Sequence, residues 1–158
     1  MTMAAYSIDI QTVLDFLKSN SLAVISTVDT TSEKPESALV AFAELNTFEL
    51  IFETYRYTRK YENIMKNKHV AFVIGWDVKK HITLQYEGRA HLLKEDELEV
   101  HTQIFLEKDT PCTEKFLFHP DATLFKVSPI WIRYFDYSIE PPQIIDLHFE
   151  KKQTISTG

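Results

Sequence analysis

The sequence predicts a mainly β fold: an antiparallel β-barrel with flanking helices. Three observations predict it. About seven segments carry strand patterning against three helical ones. The early strands follow one another as a meander, and helices are inserted among the strands without the regular strand–helix alternation of a parallel α/β sheet. Closure into a barrel then removes the edges such a sheet would expose.

Ile10, Val13, Leu14 and Leu17 recur at helical spacing and form one apolar face. Ser7 or Asp9 is available as the N-cap, and Asn20-Ser21 ends the helix. Leu22 to Val28 is a short β-rich run, and Asp29 to Lys34 a polar turn before Pro35. Ala38 to Ala43 is apolar on both faces, Asn46-Thr47 reads as a tight turn, and Phe48 to Phe52 as the third strand. Tyr61, Ile64 and Met65 then mark a short helix from Thr58 to Asn67. His69 to Ile74 returns to strand. Ile82, Leu84 and Tyr86 alternate with Thr83, Gln85 and Glu87, a strand with one wet side. Glu95, Asp96, Glu97 and Glu99 suit the positive end of a third helix running toward Lys108. Thr123 to Val127 and Ile130 to Tyr137 form one long strand, bulged at Pro129, and Ile145, Leu147 and Phe149 a last one.

At 158 residues, the length suits one domain, placed at 1–150, with a flexible tail at 151–158. The formal charge of −6 argues against a general nucleic-acid binder, because phosphate neutralisation needs clustered Lys and Arg. Cys112 is the only cysteine, so an intrachain disulfide is excluded and a reducing cytoplasm is the expected setting. The first residues lack signal-peptide character, and no apolar run is long enough to span a membrane. Only 3 glycines occur, and neither a GxGxxG nor a P-loop pattern is present. A phosphate would therefore have to be held by side chains and a helix terminus.

One segment offers that chemistry. A strand ends at Thr54, a short loop follows, and a helix opens with Thr58-Arg59-Lys60. Unbonded backbone N–H groups and the helix dipole favour an anion there. Arg59 adds a planar fork of donors, Lys60 a point charge, and the two hydroxyls short hydrogen bonds. Spacing alone leaves a second reading open, in which Arg59 and Lys60 are solvated helix residues.

This segment resembles the FMN phosphate motif of the pyridoxamine-phosphate-oxidase-like split barrels. Thr54 matches the first hydroxyl position, Thr58 the Ser/Thr, Arg59 and Lys60 the basic pair, and Asn67-Lys68-His69-Val70 the closing element. The order of elements agrees from the first helix through Gly88-Arg89-Ala90, and only loosely after about residue 94. The resemblance implies a Greek-key-like FMN-binding split barrel, FMN as cofactor, and a homodimer with flavin sites near its twofold interface. It also implies that Ser37, Ala38, Leu39 and Val40 border the ring system, mostly through backbone groups, with Thr83 facing the same site. Trp131 or Arg133, which share a strand face, would reach a flavin across the dimer; a packed Trp with a rim Arg is the plainer reading. Trp76 is a further candidate pocket wall. The vitamin-making enzymes of the family carry a basic residue where this chain has Glu36-Ser37-Ala38, and an Arg near the end where it reads Ile144-Ile-Asp-Leu-His-Phe149. These departures argue against pyridoxamine-phosphate oxidation and bring the chain closer to the general-stress-protein branch.

The six histidines show no metal spacing, and neither GxSxG nor an assignable Ser-His-Asp set occurs. Two functions follow from the resemblance. One is an FMN-dependent oxidoreductase acting on a small molecule, with no catalytic acid or base nameable. The other is a non-catalytic, stress-related protein that binds flavin, or haem or a deazaflavin in the same groove.

Overall fold

The computed structural model describes residues 3–75, 79–108, 110 and 114–149. Trp76, Cys112 and the tail at 151–158 lie outside the described residues. In chain order the elements are α1 (Met3–Lys18), β1 (Leu22–Asp29), β2 (Lys34–Glu44), β3 (Leu50–Tyr55), α2 (Arg59–Lys66), β4 (His69–Ile74), β5 (Ile82–Leu92), α3 (Glu95–Glu107), α4 (Glu114–Leu117), β6 (Ala122–Asp136) and β7 (Gln143–His148).

Every strand pairing is antiparallel. The sheet runs β3-β2-β1-β4-β5-β6-β7, and an extra pairing of β3 with β6 closes the first six strands into a barrel. The meander β1-β2-β3 with β4 returned beside β1 is the Greek-key order.

β6 does two jobs. Ala122–Val127 pairs with β3 and closes the ring, while Trp131–Asp136 carries β7 outside it. Between these halves the register against β5 slips: Glu87 faces Trp131, but Gly88 faces Pro129, leaving Ile130 as an extra residue. This is the bulge expected at Pro129, whose missing N–H cannot serve a ladder. A side chain at position 88 would meet Val127 Cγ1 at 2.6 Å and the Ser128 carbonyl at 2.7 Å, so glycine permits the close approach.

Inward residues of the strands form one core, including Ile25, Phe42, Phe52, Phe72, Tyr86 and Phe125, all nearly free of solvent. Val13, Leu14 and Leu17 of α1 join this core, and Phe16 meets Tyr134 edge-on at 5.5 Å. A second cluster lies outside the barrel wall, where Phe105 of α3 and Leu117 of α4 cover Ala43, Ile51 and Leu124. Just past α3, Lys108 reaches back to the Leu17 carbonyl at 3.1 Å and pairs with Glu44. Burial holds the Lys108 ammonium below the usual lysine pKa, while Glu44 opposes that shift.

Three sequence expectations need correction. α1 starts at Met3, not near Ser7 or Asp9, because Ala4 and Ala5 are strong helix formers that extend it upstream. The third strand starts at Leu50, not Phe48. Phe48 instead closes the turn with φ at 66°, its N–H on the Leu45 carbonyl at 2.9 Å. The buried Tyr86 hydroxyl faces both the Phe48 and Val127 carbonyls at 3.0 Å and braces this turn against β6. The short α4 was not expected, since four residues are too few to show a helical period. Among the described residues, no helix is long and apolar enough to cross a membrane.

Candidate functional site

The site arises where the barrel wall parts. β2 and β3 pair only over Phe42↔Phe52, Ala43↔Ile51 and Glu44↔Leu50. β3 pairs with β6 along its whole length, and past that point β6 is its only strand partner, with Glu53, Thr54 and Tyr55 opposite Leu124, Thr123 and Ala122. β2 stays with β1 through Glu36↔Thr27. The edge of β2 turned away from β1 therefore runs past an opening, and α2 begins at that opening.

The start of α2 is tightly built. Thr58 is the N-cap, in extended conformation, and its hydroxyl accepts from the Tyr61 N–H. The same hydroxyl lies 2.8 Å from the Tyr55 carbonyl and 2.9 Å from the Thr54 hydroxyl. A hydroxyl has one proton, so with Thr58 donating to Tyr55, Thr54 donates to Thr58. Thr54 is buried and Thr123 bonds its carbonyl at 3.1 Å. The N–H groups of Arg59 and Lys60 open the helix and have no carbonyl one turn back to bond. With the helix dipole they form the positive pole of the corner.

Two adjoining cavities flank this corner, of about 260 Å³ and about 170 Å³. Leu39, Val40 and Thr54 line the larger; Ser37, Ala38 and Arg59 line the smaller; Thr58 and Lys60 border both. Eight of the ten expected cofactor residues are thus brought together. Thr83 and Trp131 border neither cavity. Thr83 lies on β5, separated from β2 by β1 and β4 in the sheet. Trp131 lies on β6 opposite His148. The Arg133 guanidinium sits 5.3 Å from the Trp131 ring centre and holds Asp146 by two bonds of 2.8 Å.

The electrostatics are mixed. Arg59 donates to Glu36 Oε1 at 2.8 Å, and Asn63 donates to Glu36 Oε2 at 2.9 Å. Asn63 also reaches the Thr27 hydroxyl at 3.0 Å. Lys60 is half-buried, and loss of solvent holds its pKa below the usual lysine value, with Glu53 pulling the other way. The donor set fits an oxyanion headgroup: two backbone N–H groups, a guanidinium and an ammonium, joined by a threonine hydroxyl only if it turns from its internal partner. An apolar wall of Leu22, Leu39, Val40 and Phe116 beside it suits a flat ring system.

The fold is that of the FMN-binding split barrels. The family model for pyridoxamine 5'-phosphate oxidase matches residues 10–136, and the chain belongs to that family. General Stress Protein 26 from Bacillus anthracis is similar, at 22% identity and TM-score 0.64 over 87% of this chain and 98% of that one. So is a pyridoxamine 5'-phosphate oxidase-related, FMN-binding protein from Nostoc punctiforme, at 14% identity and TM-score 0.65 over 96% and 92%. A heme-binding protein from Mycobacterium smegmatis shares the fold at 13% identity and TM-score 0.71, over 89% of this chain and 56% of that one. No curated protein sequence matches the chain.

Residue-by-residue reading of the motif missed Asn63 and Thr27, and it did not connect Glu36 to Arg59. One signal was present: Asn63 stands four residues after Arg59, on the same helix face. Phe116 sits on α4 and carried no signal.

Proposed function

We propose that the chain binds FMN at this corner and serves as a flavin-dependent oxidoreductase for a small molecule. The supporting observation is the meeting of a Thr58-capped helix start, Arg59 and Lys60 with two cavities at the parting of β2 and β3. In this reading Thr54, Thr58, Arg59, Lys60 and the first N–H groups of α2 hold the phosphate. The backbone of Ser37 to Val40 borders the ring. Bound flavin supplies the electron transfer; the chain orients it and screens it from water. A homodimer is part of the proposal, supported by the outer sheet face where Leu39 and Val73 stand exposed.

The absorption spectrum and flavin titration test it. Purified protein mixed with FMN should show the flavin band, bleached by NADH or NADPH under anaerobic conditions. Arg59→Ala combined with Lys60→Ala should weaken FMN far more than riboflavin, since only FMN carries the phosphate. Equal loss of both ligands would count against the assignment. A flavin band that no reductant bleaches at catalytic rates would favour the carrier reading, and a Soret band in place of it a haem protein.

A further inference from the structure

We infer that Glu36 is a built-in competitor for the anion corner and weakens its preference for a dianionic ligand tail. This inference rests on the flavin-site reading and adds the charge preference of that site.

Glu36 lines the smaller cavity together with Thr58, Arg59 and Lys60. Its two carboxylate oxygens are each engaged, one by Arg59 at 2.8 Å and the other by Asn63 at 2.9 Å. The two ends of the ion pair differ sharply in exposure. The Glu36 side chain is 20% exposed and that of Arg59 78%. Asn63, which holds the carboxylate from behind, is 5% exposed and is itself tied to Thr27 at 2%. The carboxylate is therefore the fixed partner, and the guanidinium is the end that can move.

A phosphate at the first turn of α2 would meet this carboxylate within hydrogen-bonding distance of the guanidinium it needs. It would have to share the Arg59 guanidinium with Glu36 or draw it away, and in either case stand beside a second negative charge. Lys60 restores the balance only in part, because the Glu53 carboxylate also acts on it. The corner holds two bases against two acids. A phosphate dianion is stabilised by a net positive site, and like charges a few ångströms apart repel strongly where solvent is scarce. A ring system with a neutral or singly charged tail does not meet this opposition. Glu36 thus lowers the discrimination between FMN and riboflavin that Arg59, Lys60 and the helix start would otherwise enforce.

The test is a titration of wild type, Glu36→Gln, Arg59→Ala and the double variant with FMN and with riboflavin. Gln keeps an oxygen for Asn63, so the buried network is retained; melting temperatures check this. Glu36→Gln should tighten FMN at least tenfold and move riboflavin less than threefold. Arg59→Ala should weaken FMN less than threefold in wild type but at least tenfold in the Glu36→Gln background. FMN affinity unchanged or lowered by Glu36→Gln overturns the inference. So does a tenfold loss from Arg59→Ala alone, which remains readable even where Glu36→Gln folds poorly. If neither flavin binds any variant, the flavin reading fails separately. Inorganic pyrophosphate then decides the role of Glu36: the inference stands if Glu36→Gln binds it at least tenfold tighter than wild type, and falls if the two are equal.

Discussion

The side-chain amide of Asn63 bonds the hydroxyl of Thr27 at 3.0 Å, joining α2 to β1 through two groups almost wholly withdrawn from solvent. Because the same amide holds Glu36, this one side chain fixes both the helix and the carboxylate that faces Arg59. Asn63→Ala leaves the Thr27 hydroxyl buried without this donor. An unsatisfied buried polar group costs about 1–3 kcal/mol, and a loss of that size is expected in urea unfolding. Asn63→Leu fills the space better but should not recover the loss.

Lys108 and Glu44 provide a second anchor, tying the end of α3 to β2 and to the last turn of α1. Each side chain is 12% exposed. Removing one partner strands the other, which for buried pairs costs about 3–5 kcal/mol. Lys108→Ala should show a destabilisation of that order in chemical denaturation. Replacing both, as Lys108→Met with Glu44→Leu, should cost markedly less than the single change, since no charge is then left unpaired.

His91 gives stability a pH dependence. Burial, reinforced by Lys126, holds its pKa below the usual histidine value of 6.5. The folded state therefore binds this proton less readily than the unfolded chain. Its contribution to stability is fully present above 6.5 and is lost as pH falls through the depressed folded value. Urea midpoints measured from pH 7 down to about 5 should fall in wild type and fall less steeply in His91→Gln.

Gly88 tests the bulge. An added methyl group would overlap Val127 and the Ser128 carbonyl, and the backbone oxygen cannot easily yield. Gly88→Ala should destabilise the protein by about 1–3 kcal/mol, the usual range for overpacking, as read from the thermal midpoint.

These features differ in how far one sequence reveals them. The start of α2 was legible because its signals are local: Thr58, Arg59 and Lys60 follow one another, and the capping preference of Thr needs no distant partner. The bulge was legible for a similar reason, since Pro129 announces a broken ladder by itself. The Asn63 network was not, because its bonds join residues 36 and 27 positions apart and no single window contains both ends. Phe48 misled the reading of β3: its aromatic character favours a strand, yet the turn and the brace from Tyr86 place it at positive φ. The upstream reach of α1 was missed because a capping residue was credited over the helix propensity of the alanines before it.

The division of labour along β6 carries a consequence for which changes the barrel tolerates. The matched family region stops at residue 136, the last residue of β6, and β7 follows. β7 pairs with β6 alone, outside the ring that β3 completes, while Ile145 and Leu147 join the main core. Such an appendage can be lengthened or exchanged while the ring stays shut, provided its core-facing positions stay apolar, because no closing strand pairing passes through it.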